Sequence, residues 1–150
     1  MIQALDVAQY IVAAYGDTYW LTNRKLNRLL SLINQESYLQ RHEYIFNETT
    51  TATVYGAVFN TVYDHYKKHG PERIKHTSNT IVPTIDETTK AIIHAVMMHL
   101  GDLSVFDLLC IARHRTSVVH VWDNIGYTFT AGIKDAERHY PNALRMLENT

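Results

Sequence analysis

The residues with the clearest capacity for chemistry are two histidines in the segment HYKKH. His65 and His69 stand four positions apart, which on a helix places both imidazoles on one side, where they could hold a metal ion. The pattern of zinc proteases requires a glutamate directly after the first histidine, and Tyr66 stands there instead. No cysteine or carboxylate at a suitable spacing completes a ligand set. The segment is therefore interpreted as a solvated helix face, and no metal is predicted.

The one cysteine of the chain, Cys110, lies in the apolar run DLLCIA. A nucleophilic thiol needs a base and an electropositive pocket, so a small buried hydrophobic side chain is the favoured interpretation. The sequence contains no nucleophile elbow, phosphate-cradling glycine loop or dinucleotide fingerprint. Its carboxylates are too dispersed to name an acid–base pair. We therefore predict that the protein is not an enzyme and uses no cofactor.

A cluster of basic residues could instead bind a polyanion. The segment TNRKLNR brings Arg24, Lys25 and Arg28 to the start of a predicted helix, and ARHR adds Arg113 and Arg115. A helix-turn-helix protein could place such a helix in a DNA groove. The chain carries 14 basic against 15 acidic residues, however, whereas DNA-reading proteins are usually basic. A solvated face is the favoured interpretation, an acidic protein partner comes second and nucleic acid last.

Length and composition limit the classes of protein that remain possible. The chain has 150 residues, of which 46% are hydrophobic and 19% charged, and this fits one soluble domain with a substantial core. A lone cysteine argues against a disulfide scaffold and fits a reducing compartment. The first residues carry Asp6 and lack the basic start of a signal peptide, and no apolar run could span a bilayer. We therefore expect a cytoplasmic protein with no membrane partner.

Glycines, prolines and hydrophobic periodicity divide the chain into predicted helices. They cover roughly residues 3–15, 23–42, 55–70, 87–100, 105–113 and 131–140. Thr22, Asp86 and Ser104 are the predicted N-caps of the second, fourth and fifth helices, and Gly101 is predicted to end the fourth. The threonine-rich segment before Tyr55 is interpreted as a loop or a short extended piece. The sequence thus predicts one compact all-α, multi-helix domain over residues 1–150, with room for a small β-hairpin.

The segment VYGAVFNTVYDHYKKHG, residues 54–70, has the densest run of aromatic residues. Four of them recur at helical spacing: Tyr55, Phe59, Tyr63 and Tyr66. This spacing predicts a helix with an aromatic face that packs in the core, and we expect Tyr63 to be buried there. Gly70 is predicted to end the helix, because glycine tolerates the positive φ of a helix cap.

Four segments carry a resemblance to a known family: ALDVAQYIV at 4–12, LTNRKLNRLLSL at 21–32, the aromatic segment at 54–70 and GDLSVFDLLCIARH at 101–114. Their order and spacing resemble the Panacea domain family, a former domain family of unknown function that includes phage-associated proteins and bacterial antitoxins. The resemblance covers nearly the whole chain.

The resemblance implies mainly structural roles for the matching motif residues, which are Leu26, Tyr55, Gly56, Val58, Tyr63 and Gly70. Ala57 stands where the family has a proline, whose fixed backbone suits a first helical position. Toward the C-terminus, Arg113–His114 replaces the family's threonine–histidine pair and Val121–Trp122 its proline–tryptophan pair.

The resemblance also implies a protein-binding role. Panacea proteins act as antitoxins in two-gene toxin–antitoxin systems, where they neutralise different toxins, including small alarmone-synthetase-like enzymes, by direct complex formation. The expected partner is therefore a cognate protein toxin, bound in a hetero-oligomer. Three alternatives stay open: a phage-borne inhibitor of a host defence protein, an adaptor that delivers a toxin to a protease and, least favoured, a DNA-binding regulator.

The candidate contact residues are aromatic and basic residues near the ends of the second predicted helix. They are chosen because such residues are the usual anchors of protein interfaces. The candidates are Arg24, Lys25 and Arg28 for charge complementarity and Tyr19, Trp20 and Tyr44 as aromatic anchors. Packing within the domain is the alternative for each of them.

Overall fold

Helices and one short hairpin make up the part of the chain that the computed structural model describes, residues 2–53, 56–75, 81–105 and 107–108. The helices are α1 (Ala4–Tyr15), α2 (Asn23–Arg41), α3 (Asn60–Tyr66) and α4 (Glu87–Leu100), and a 3-10 helix (Lys67–His69) follows α3. Strands β1 (Thr50–Thr53) and β2 (Gly56–Phe59) pair antiparallel, with Thr50 opposite Phe59. The prediction of a mainly helical fold with a small hairpin is confirmed.

Side-chain caps begin the two longest helices where the sequence predicts them. The Thr22 hydroxyl accepts a hydrogen bond from the backbone N–H of Lys25 at 3.2 Å, at the start of α2. The Asp86 carboxylate accepts one from the N–H of Thr89 at 3.1 Å, at the start of α4. Each bond satisfies one of the N–H groups that a helix leaves without a partner in its first turn.

Gly101 ends α4 as predicted. Its φ of −61° is an ordinary helical value, so its backbone does not require glycine. A Cβ at this position would lie 2.8 Å from the Tyr19 ring, which makes the close approach of the two segments the reason for glycine. The Ser104 hydroxyl accepts from the N–H of Asp107 at 3.1 Å, as predicted, and the expected continuation of this helix to Arg113 lies outside the described residues.

Helix α2 is the centre of the described core, because it packs against α1, α3, α4 and β2. The predicted apolar face of α2 is fully buried, and its residues are Leu26, Leu29, Leu30 and Ile33. They share one hydrophobic cluster with Phe46, Ile93 and Met97. Burial of each such side chain stabilises the fold by roughly 1.5–3 kcal/mol.

Two asparagines of α2 position the chain after the hairpin. The Asn27 side-chain oxygen accepts a hydrogen bond from the backbone N–H of Phe59 at 2.8 Å, and this asparagine is fully buried. The Asn23 side-chain amide donates to the backbone oxygen of Tyr63 at 3.0 Å. A buried backbone group without a partner is costly, so these bonds fix where β2 ends and how α3 lies against α2.

The aromatic segment 54–70 does not form the single helix that its spacing predicts. Strand β2 occupies its first part, and α3 begins only at Asn60, because Phe59 keeps an extended backbone with φ −79° and ψ 116°. Phe59 and Tyr66 are buried, whereas Tyr63 is 39% exposed. The expectation that Tyr63 lies in the core is therefore wrong.

The other residues of the family motif take structural positions where the structure describes them. Leu26 is fully buried, Val58 is also buried, and Gly56 is the first residue of β2. Gly70 adopts φ 58° and ψ −136°, a combination that glycine tolerates far better than any other residue. Tyr55 lies outside the described residues.

Candidate functional site

The candidate contact residues separate toward the two ends of α2, whose 19 residues span about 28 Å. Trp20 and Arg24 lie at the N-terminal end, and Tyr44 lies just beyond the C-terminal end. Arg24 is exposed, and the aromatic rings of Trp20 and Tyr44 are 63% and 48% exposed. No single surface can therefore be formed from all six candidates.

Trp20 is held in place by Arg73. The guanidinium carbon of Arg73 lies 4.7 Å from the centroid of the Trp20 ring, a cation–π arrangement. The same guanidinium donates a hydrogen bond to the backbone oxygen of Gly16 at 2.7 Å. The backbone N–H of Ile74 donates to the oxygen of Leu21 at 2.8 Å, which fixes the segment that carries Arg73 beside Trp20.

Trp20 and the segment 67–75 form a surface that we call the Trp20 corner. The segment reads KKHGPERIK, and most of its side chains are exposed. Among the described residues, no carboxylate lies within ion-pairing distance of Lys68, Arg73 or Lys75. The corner thus combines an exposed tryptophan with three basic side chains, those of Lys68, Arg73 and Lys75, that form no ion pair with a described carboxylate.

The C-terminal end of α2 exposes a different arrangement, which we call the Tyr38–Tyr44 stack. The two rings lie face to face, with centroids 4.8 Å apart and planes inclined by 18°. The His42 ring packs edge-on against Tyr38 at 6.2 Å. Here Arg41 pairs with Glu43 at 3.8 Å. Each aromatic ring covers one face of the other, and the cation has a carboxylate partner.

Three candidate contact residues lie inside the protein. Tyr19, Lys25 and Arg28 are only 9%, 6% and 7% exposed. The expectation that Lys25 and Arg28 occupy a solvated face of α2 is therefore corrected. Removal from water lowers the pKa of Lys25 to about 8, against the opposing effect of Asp102, and it also lowers the pKa of Arg28. A partner cannot reach these side chains without a rearrangement.

A buried carboxyl group, which the sequence-based prediction missed, lies further along α2. Glu36 is fully buried, and one of its oxygens accepts a hydrogen bond from the side-chain amide of Gln40. Among the described residues, its other oxygen has no hydrogen-bond partner. Burial raises the pKa of Glu36 to about 7, so the group changes its protonation near neutral pH.

The two histidines with metal-like spacing have an aromatic neighbour in common. The centroids of His65 and His69 lie 4.7 Å and 6.2 Å from that of Tyr66. In the part of the chain that the structure describes, no group of three or more histidine, cysteine, aspartate or glutamate side chains could hold a metal ion. The expectations that the protein binds no metal and is not an enzyme stay predictions.

Arg73 and Lys75 were not predicted as contact residues, because the segment after Pro71 reads as a plain connection, and Lys68 was assigned only to the end of the aromatic segment. The signal that could have indicated them is the cation-rich run KKHGPERIK, in which one glutamate stands against four basic residues. That the run lies beside Trp20 depends on the contacts of Arg73 and Ile74, which no local pattern reveals.

Comparison with known proteins found no matching family model, no matching curated protein and no matching solved structure. Within the described ranges, none of the helices is both long enough and apolar enough to cross a membrane.

Proposed function

We propose that this protein is an antitoxin-like binding module that acts in the cytoplasm and neutralises a cognate toxin by direct complex formation in a two-gene system. The observation that carries the proposal is Trp20, whose ring is 63% exposed and yet fixed by the guanidinium of Arg73. Tryptophan and arginine are the residues most enriched at the energetic centres of protein interfaces. A side chain already fixed in one orientation also loses little conformational freedom on binding.

The resemblance of four segments to the Panacea domain family supports a toxin as the partner. The helical fold and the structural positions of Leu26, Val58 and Gly70 are compatible with that resemblance. Within the family, small alarmone-synthetase-like enzymes are among the toxins that are neutralised, and they are one class of partner to test first.

The physical mechanism in this proposal is occlusion. The core around α2 forms a stable support, and Trp20 inserts into an apolar pocket of the toxin while the cations around it meet polar groups at the rim. A tryptophan that becomes fully buried at such a centre contributes about 2 kcal/mol or more to the affinity. The toxin is held inactive because the bound domain covers the surface that it needs for its reaction.

A growth assay tests the proposal. The gene that neighbours this one in its genome is expressed in a bacterial host alone, with the wild-type protein, with a Trp20→Ala variant and with a Tyr44→Ala variant. We expect the neighbour alone to stop growth, the wild type and Tyr44→Ala to restore it, and Trp20→Ala to restore it poorly. A harmless neighbour, or growth arrest that the wild type does not relieve, would overturn the proposal.

A further inference from the structure

We infer that the Trp20 corner takes an acidic polypeptide segment of the partner, with Trp20 as the apolar anchor and Lys68, Arg73 and Lys75 as the groups that attract its carboxylates. This inference rests on the proposed protein-binding role and deepens it, because it names the chemistry of the partner's contact segment.

The charge around Trp20 is the first observation that carries the inference. Lys68 and Lys75 are exposed, and no described carboxylate pairs with them or with Arg73. Two other lysines of the described chain do have carboxylate partners: the exposed Lys67 lies 3.8 Å from Asp64, and the half-buried Lys90 lies 3.4 Å from Glu87. Positive charge without a neutralising neighbour attracts carboxylates and guides the encounter with an acidic partner.

The geometry of the segment is the second observation. The backbone N–H of Glu72 donates to the oxygen of His69 at 3.1 Å, which makes a tight turn at Gly70 and Pro71. Arg73 and Lys75 flank Ile74, whose backbone bond to Leu21 fixes this part of the segment beside Trp20. Lys68 belongs to the same segment and precedes the turn.

Single-stranded nucleic acid is the other class of partner that combines stacking with negative charge, and the structure favours it less. The whole chain has a net charge of −1, whereas nucleic-acid-binding proteins are usually basic overall. Arg73 also covers one face of the Trp20 ring, which leaves a single face for a base to stack on.

A binding assay on the full-length protein tests the inference without a toxin. Three fluorescent probes are titrated with the protein: a peptide of alternating glutamate and serine with one central phenylalanine, its counterpart with lysine for every glutamate, and single-stranded oligo-dT. The variants are Trp20→Ala, Lys75→Glu and the double variant Lys68→Glu/Lys75→Glu. Lys90→Glu is the matched control, because it makes the same charge change as Lys75→Glu at a lysine that already has a carboxylate partner.

We expect the acidic peptide to bind more tightly than the other two probes, and its affinity to fall as salt is raised. We expect the double charge reversal to weaken it roughly tenfold, and Lys90→Glu to leave it within about twofold. Equal affinity for the acidic and basic peptides, tighter binding of oligo-dT, or wild-type affinity in the double variant would each overturn the inference.

Circular dichroism spectra confirm that the variants are folded. If the double variant Lys68→Glu/Lys75→Glu is not folded, Lys68→Gln/Lys75→Gln replaces it. The binding assay uses no toxin. A failed growth rescue would therefore contradict the proposed function without contradicting the binding of the acidic peptide.

Discussion

The two ends of α2 both expose aromatic rings, but the rings have different neighbours. At the C-terminal end, Tyr38 and Tyr44 stack on each other, and Arg41 pairs with Glu43. At the N-terminal end, the Arg73 guanidinium lies over one face of the Trp20 ring, and Lys68 and Lys75 of the Trp20 corner have no described carboxylate partner.

A surface whose groups are paired within the protein can be distinguished in this way from a surface that is available to a partner. Exposed aromatic side chains are common on monomeric proteins and by themselves indicate nothing. In the Tyr38–Tyr44 stack, apolar faces and charges are already matched inside the protein. In the Trp20 corner, Arg73 holds one face of the Trp20 ring, whereas Lys68 and Lys75 have no described carboxylate partner. We therefore propose that the N-terminal end of α2 binds a partner and that the C-terminal end has a structural role.

The largest expected effect separates a buried ring from a partly exposed ring within the aromatic segment. Phe59→Ala is expected to lower the free energy of unfolding by about 3–5 kcal/mol, because the ring is buried and packs edge-on against Phe46 with centroids 5.0 Å apart. Tyr63→Ala is expected to cost under about 1 kcal/mol, because its side chain is substantially exposed. Urea unfolding measures both. A loss of several kcal/mol for Tyr63→Ala would show that its side chain packs in the core.

The next effect is a pH dependence of stability that comes from the C-terminal half of α2. Glu36 has a pKa of about 7 in the folded protein and an ordinary value of 4.5 when unfolded. Between pH 4.5 and about pH 7 the folded state binds more protons than the unfolded state, so the free energy of unfolding falls as pH rises. The total fall is on the order of 3 kcal/mol. Glu36→Gln is expected to remove this fall and to be more stable than the wild type at pH 8.

The matched control for this prediction is Glu87→Gln, since the Glu87 side chain is 91% exposed. It is expected to follow the wild-type curve of unfolding free energy against pH. A Glu36→Gln variant whose curve also follows the wild type would show that Glu36 titrates normally.

The N-terminal half of α2 contributes a pH dependence of the opposite sign. Lys25 has a pKa of about 8 in the folded protein against 10.5 when unfolded. Between these values the unfolded state binds more protons, so stability rises as pH increases from about 8 to about 10.5, again by on the order of 3 kcal/mol. Lys25→Met is expected to be more stable at pH 7 and to lose this rise. Unfolding free energies at pH 7, 9 and 10 test it, and a rise that persists in the variant would contradict the assignment.

A smaller effect tests whether the turn of the Trp20 corner depends on glycine. Gly70→Ala is expected to cost about 1–3 kcal/mol of stability through backbone strain alone, because φ is 58° and an added Cβ would meet no atom within 4 Å. Its strain is confined to the turn, so hydrogen exchange near Tyr44 is expected to stay as in the wild type. A variant as stable as the wild type would show that the turn relaxes without cost.

Much of the fold is predictable from local pattern. Thr22 and Asp86 begin helices where their hydroxyl and carboxylate oxygens can reach the first turn, and the apolar face of α2 follows the helical period. The change from strand to helix at Phe59 is not predictable in this way. It depends on a hydrogen bond to Asn27, which is far away in sequence, and the aromatic spacing of the segment suits a helix equally well.

The candidate site was predictable only in part. Trp20 and Arg24 are exposed at the predicted end of α2, whereas Lys25 and Arg28 are buried by segments that the helix periodicity does not reveal. Arg73 reaches Trp20 from a connection that carries no regular pattern. Long-range contacts of this kind decide which of several plausible anchors a partner can reach.

Calorimetry tests most directly whether the Trp20 corner is the binding surface. It measures the affinity of the neighbouring gene's product for three forms of this protein. The forms are the wild type, Trp20→Ala and Tyr44→Ala, each first shown to be folded. We predict that Trp20→Ala weakens binding by about 30-fold or more and that Tyr44→Ala changes it by less than about threefold. Loss of binding in Tyr44→Ala with wild-type affinity in Trp20→Ala would contradict the account.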